Sequence, residues 1–96
     1  LASAFTPAES AWLDSRPAQA RDVDALRLWC AKEAAAKWLG VGLQGRPEAF
    51  EVSFVGDEAC DALVQCAEAA VRVHVWHLGG TVTAVAEEES RVNRVT

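Results

Sequence analysis

Two hydrophobic periods divide the chain. From Arg21 to Leu39 the apolar side chains recur at helical spacing: at about 100° per residue, Leu28, Ala31, Ala35, Trp38 and Leu39 fall in one band. That spacing predicts a long helix, with Asp22 and Asp24 near its N-terminal dipole end and Gly40 as its stop signal. The opposite face carries Leu26, Trp29, Cys30, Glu33 and Lys37, and Lys32 lies near the edge of the core band. A face that mixes large apolar groups with an acid and a base suits a helix lining a partner surface or a site. Upstream, Thr6-Pro7-Ala8-Glu9 predicts the start of a shorter helix. Thr6 caps it, Pro7 takes the first helical position, Glu9 completes a capping box and Phe5 is placed to staple onto it. This helix should end near Asp14 or Ser15, before Pro17.

The second half changes to a period of two. Phe50, Val52 and Phe54 alternate with Glu51 and Ser53, as in a half-buried strand. Val71–Leu78 reads as a strand from its β-branched content, Gly79-Gly80 as a tight hairpin turn, and Thr81–Ala86 as the return strand. In that return strand Val82 and Ala84 share one face and Val85 takes the other. Gly40, Gly42 and Gly45 break the chain after the long helix, Pro47 closes that loop, and Gly56-Asp57 turns the first strand. Residues 57–70 fit either a weak helix through Ala59, Leu63, Ala67 and Ala70 or an irregular strand. Beyond Thr81–Ala86, the acidic run Glu87-Glu88-Glu89 opens what reads as a solvated, fraying tail. The order predicts an α+β fold, with a small antiparallel sheet of about three strands covered on one face by the long helix.

Composition sets limits on this picture. Ninety-six residues make one small domain, and an apolar content of 51% with mean hydropathy +0.05 suits a packed unit. The formal net charge of −5 is uneven. Residues 1–48 hold six basic and six acidic side chains, whereas residues 49–96 hold three and eight. An acidic chain is a poor binder of nucleic acid or anionic membrane, and any phosphate site should lie in the balanced first half with Lys32 and Lys37. Cys30, Cys60 and Cys66 are odd in number and lack C-x-x-C spacing, which argues against a disulfide framework or a zinc site. No signal peptide or apolar run of spanning length is visible, which makes the cytoplasm the default location. His74 and His77 are three apart in a strand and so point to opposite faces, where one ion cannot bind both.

The candidate chemistry lies in Trp29-Cys30-Ala31-Lys32-Glu33-Ala34-Ala35-Ala36-Lys37. Glu33 and Lys37 share a helix face, with Lys32 beside it. A hard cation such as Mg²⁺ takes carboxylate oxygen and a polyphosphate takes lysine, so one turn offers both parts of a metal–phosphate clamp. Taken alone, the same charges also fit a solvated i,i+4 ion pair worth about 0.3–0.5 kcal/mol.

The run resembles the W-x-x-K-E-A-x-x-K signature of the 4′-phosphopantetheinyl transferases, matching at Trp29, Lys32, Glu33, Ala34 and Lys37. Phe5 to Leu13 resembles the family's F-x-x-x-E-x-x-x-L helix, and Gly40-Val41-Gly42-Leu43 before Phe50-Glu51-Val52 resembles the sequel to the signature. Trp76 and the hairpin into Val82-Thr83-Ala84-Val85 are similar to the closing sheet of the two-lobed, surfactin-synthetase-activating subclass. The resemblance spans most of residues 5–86, in order. It implies transfer of phosphopantetheine from coenzyme A to a serine of an apo acyl or peptidyl carrier protein, with Mg²⁺. By the same resemblance, Glu33 would be a metal ligand able to activate that serine. Lys32 would meet coenzyme A phosphates. Lys37 would neutralise the diphosphate and the departing 3′,5′-ADP. Trp29 would either brace the helix near the carrier surface or belong to the core.

In the family the site lies between two lobes, fused in one chain or supplied by identical subunits, and further metal ligands come from an upstream G-x-D-x-E strand. No such strand occurs in residues 1–96, and Asp22 and Asp24 sit at a helix start. Residues 1–96 therefore read as a single lobe, the second of two, with its counterpart supplied in cis or in trans. The alternative is a non-catalytic lobe or interaction module of a biosynthetic synthase.

Overall fold

The computed structural model describes residues 4–42, 46–55, 60–67 and 69–91. Helix α1 (Pro7–Ser15) is followed by a 3-10 turn (Ala18–Ala20), helix α2 (Arg21–Leu39) and a second 3-10 turn (Pro47–Ala49). Strands β1 (Glu51–Val55), β2 (Asp61–Cys66), β3 (Ala69–Leu78) and β4 (Thr81–Arg91) then form a four-stranded antiparallel sheet in the order β1-β2-β3-β4. The fold is α+β. Expectations at Gly45, at Gly56-Asp57, at Ala59 and beyond Arg91 lie outside the described residues.

Helix α1 begins at the capping box: the Thr6 hydroxyl accepts from Glu9 N at 3.2 Å, and the Thr6 N–H donates to Glu9 Oε1 at 2.8 Å. At its other end Trp12 stacks on Phe54 of β1, with ring centroids 4.9 Å apart. Asp24 does more than face the helix dipole. It is buried and pairs with Arg16 at 2.8 Å and Arg27 at 3.3 Å, which fixes the corner between α1 and α2.

Helix α2 stops as its glycine requires. Gly40 adopts φ +76°, Val41 N–H donates to Ala36 O at 3.1 Å and Gly40 N–H to Lys37 O at 3.1 Å, a Schellman ending. Leu28, Ala31, Ala35 and Ala36 bury their side chains against Val52, Ala62, Val64, Val71, Val73 and Val75 on one sheet face. The helix lies chiefly on β3 and β4, and α1 sits on β1. Trp38 leaves the expected band: it is 45% exposed at the β4 edge, and its indole N–H donates to Glu89 Oε1 at 2.8 Å.

The ambiguous segment resolves as β2 because its alternation matches its neighbours. Ala62 and Val64 face the core opposite Val73 and Val71, whereas Leu63, one of the residues that suggested a helix, points to the opposite sheet face. The acidic run also proves to be strand. Val73 pairs with Ala86 and Arg72 with Glu88, which leaves Glu87 as the extra residue of a bulge. The bulge shifts the side-chain alternation by one, so Glu89 rather than Glu88 turns to the helix side and reaches Trp38. The hairpin turn has φ +55° at Gly79 and +83° at Gly80, both positive as a type I′ turn requires.

Candidate functional site

One acid and one lysine of the signature share a cleft. Between α2 and β4, Cys30, Glu33, Ala34, Lys37 and Ala84 line an open depression of about 180 Å³. The C-terminal half of α2 positions the charged pair, and the short Ala34 and Ala84 side chains leave the space beside it. Glu33 is half-buried and Lys37 exposed, and no ion pair joins either of them to another described side chain. The i,i+4 pair that the spacing allows is thus not made, and both groups are open to a ligand. Lys37 stands in the last turn of α2, where the helix dipole favours a cation. Burial, and then the negative charge of Glu33 one turn along the helix, push the Cys30 thiol pKa up.

Lys32 is placed elsewhere. Its side chain is 0% exposed. Its ammonium donates to Ala4 O at 2.8 Å and Pro47 O at 2.9 Å, and pairs with Glu9 Oε1 at 2.7 Å. An ammonium has three donors, and all three have partners here. The expectation that Lys32 meets phosphate is corrected by this placement: at the border of the apolar band the lysine turned inward, because a buried carboxylate and two carbonyls receive it. The Phe5 ring lies 5.6 Å from the same ammonium, so Phe5 roofs this lysine.

Glu9 is the residue that sequence reasoning undervalued. Besides capping α1 and pairing with Lys32, it accepts from Val52 N–H of edge strand β1 through Oε2 at 2.6 Å. One buried carboxylate therefore joins α1, α2 and β1. The signal was present in the sequence, since the acid of the first motif and the first lysine of the second are the two ends of this ion pair.

Trp29 lines a second depression, about 400 Å³ and mainly apolar, with Ala4, Phe5, Asp22, Ala25 and Leu26 on the α1 side of α2. It is half-buried. On the uncovered sheet face, His74 Nδ1 lies 2.7 Å from Asp61 Oδ1 and its ring packs edge-on against Trp76, while His77 is exposed apart from them. Among the described residues no cluster of three or more His, Cys, Asp or Glu side chains could hold a metal ion. Nor is any helix of the described residues long and apolar enough to cross a membrane.

Comparison with curated proteins and with solved structures gives no match. The sequence model of the 4′-phosphopantetheinyl transferase superfamily matches residues 1–89. That span takes in the helix pair, the Glu33–Lys37 cleft and nearly all of the sheet. With the signature on α2 and an α+β lobe built around it, the chain belongs to the 4′-phosphopantetheinyl transferase superfamily.

Proposed function

We propose that this lobe forms one wall of a Mg²⁺-dependent transfer site, where the phosphopantetheine arm of coenzyme A passes to a serine of an apo acyl or peptidyl carrier protein. One observation carries the reading: Glu33 and Lys37 line one cleft, and no ion pair joins either to another described side chain. In the reaction the serine oxygen bonds to the β-phosphorus, the bridging P–O bond breaks and 3′,5′-ADP leaves. The hydroxyl proton passes to a carboxylate, a role open to Glu33. Lys37 neutralises negative charge on the diphosphate and on the leaving group. Mg²⁺, when bound, supplies further stabilisation of the diphosphate oxygens.

Glu33 fits such a cation as one oxygen ligand, because it is half-buried at an open cleft and pairs with no cation among the described side chains. Its partners must come from outside the described residues, in the proposal from a second lobe in cis or in trans. Coenzyme A and the carrier protein would meet this wall across the same cleft. The single carboxylate also favours a second reading, a non-catalytic lobe that keeps the fold and binds a partner through the Trp29–Lys37 stripe.

The two readings separate in one assay. The chain, with the counterpart lobe and without it, is mixed with coenzyme A, Mg²⁺ and an apo carrier, and the carrier's intact mass is measured. Transfer is expected only with the counterpart present, and its absence there would sink the enzyme reading. Glu33→Ala and Lys37→Ala should each slow transfer by about 10²-fold or more. Near-normal rates would remove those residues from the mechanism.

A further inference from the structure

Building on the transfer reading, we propose that the buried Glu9–Lys32 pair is a positioning element, which sets the rotation of α2 about its axis and so aims Glu33 and Lys37 into the cleft beside β4. Lys32 and Glu33 are consecutive, so their side chains leave the helix about 100° apart. Fixing the direction of Lys32 therefore fixes that of Glu33, and Lys37 follows one turn later. The Lys32 ammonium is held by three groups that all lie outside α2: Glu9 of α1, the carbonyl of Ala4 before α1, and the carbonyl of Pro47 ahead of β1. Glu9 is in turn held by the N–H groups of Thr6 and Val52. The ammonium thus cannot swing without breaking contacts to three groups outside α2, one of which, Glu9, is itself anchored to Thr6 and Val52.

Apart from the Asp24–Arg16 pair, which holds α2 at its N-terminal end, the interface is poorly suited to this task. The buried apolar face of α2 consists of Leu28, Ala31, Ala35 and Ala36, one large side chain among three methyl groups. Such a smooth face brings the helix close to the sheet but interlocks weakly against rotation. On the other flank, the Trp38–Glu89 hydrogen bond is exposed to solvent. A pair serving stability alone could give way to apolar residues, since buried ion pairs are often no more stabilising than well-packed hydrophobic groups. Here the charged ends also meet four backbone groups whose directions are fixed.

The test uses the chain together with its counterpart lobe, on a Cys60→Ser and Cys66→Ser background that leaves Cys30 as the reporter thiol in the cleft. Lys32→Met is compared with the double variant Glu9→Gln/Lys32→Met, which leaves no lone charge inside. Three quantities are read: the thermal melt, the rate of Cys30 alkylation at one pH in the folded state, and kcat and KM for coenzyme A. A folded variant in which the Cys30 rate changes severalfold and kcat falls about tenfold or more, with KM changing much less, supports positioning. An unchanged Cys30 rate or an unchanged kcat in a folded variant overturns it. Failure of both variants to fold overturns it too, because the pair would then serve stability only. If the parent protein transfers nothing, the transfer reading fails by itself, and the Cys30 rate still decides whether the pair sets the helix rotation.

Discussion

At the scale of single residues, the lobe separates two lysines that look alike in the chain. Lys37 ends α2 in solvent beside Glu33, whereas Lys32 is enclosed by Glu9 and two carbonyls. The sequence places Lys32 at the border of the apolar band, but a border position leaves its direction undecided. Burying an ammonium is costly, and the choice depended on a carboxylate arriving from α1, which helix periodicity cannot reveal. The Cys30 thiol offers a probe of the cleft. Burial is the larger cause of its raised pKa and the Glu33 charge the second. Glu33→Gln should therefore lower the thiol pKa, and alkylation of Cys30 at mildly alkaline pH should run faster. An unchanged pH–rate profile would place the Glu33 carboxylate away from the thiol. The same shift makes the folded state disfavour thiolate. This contribution to stability is complete below the ordinary thiol pKa and is lost as pH rises through the raised one.

At the scale of elements, the helices, strand β1 and the hairpin were legible, whereas β2 and the far half of β4 were not. The capping box, the Gly40 stop and the Gly79-Gly80 turn are local devices, and each lies where its local chemistry demands. Gly40→Ala should destabilise the lobe by about 1 kcal/mol, because φ +76° is strained for any residue with a Cβ. Chemical denaturation would measure this, and a neutral result would mean the helix ending relaxes freely. Strand β2 and the far half of β4 were hidden for a different reason. Ala62, Val64 and the Glu87–Glu89 run acquire strand character through pairing with β3, a contact that is not local in sequence. Deleting residues 87–96 removes the partners of Ala69 to Arg72 and the acceptor of Trp38. Amide exchange should then speed up in the first half of β3 and the last turn of α2, while the hairpin end stays protected. Uniform protection would show that the acidic segment adds nothing to the sheet.

At the scale of the whole molecule, one sheet face is covered by the helices and the other carries no described helix. Val55, Trp76, Leu78 and Val85 are exposed large apolar residues on the sheet, with Leu78 75% accessible. For the isolated lobe, Leu78→Lys should change stability by no more than about 0.5 kcal/mol in a denaturant titration, as for any solvated position. A loss of several times that amount would mean that the hairpin tip packs in solution. The site is likewise one-sided. Glu33 and Lys37 provide a wall, and the proposed reaction needs a second wall with more oxygen ligands than the described residues bring together.

The sequence by itself determined the two helices and their ends, the hairpin, the α+β class and the family signature, because each depends on neighbours within a few turns of the chain. It also brought Glu33 and Lys37 onto one face, since an i,i+4 spacing on a helix leaves no other outcome. Only the tertiary structure decided which of the charged residues became framework and which stayed available. Glu9 and Lys32 lie inside because partners from distant segments satisfy their charges, and Asp24 because Arg16 and Arg27 close on it at the corner of the two helices; a charge goes inside only where such partners converge. Glu33 and Lys37 stay open because, among the described side chains, none reaches either of them as an ion-pair partner.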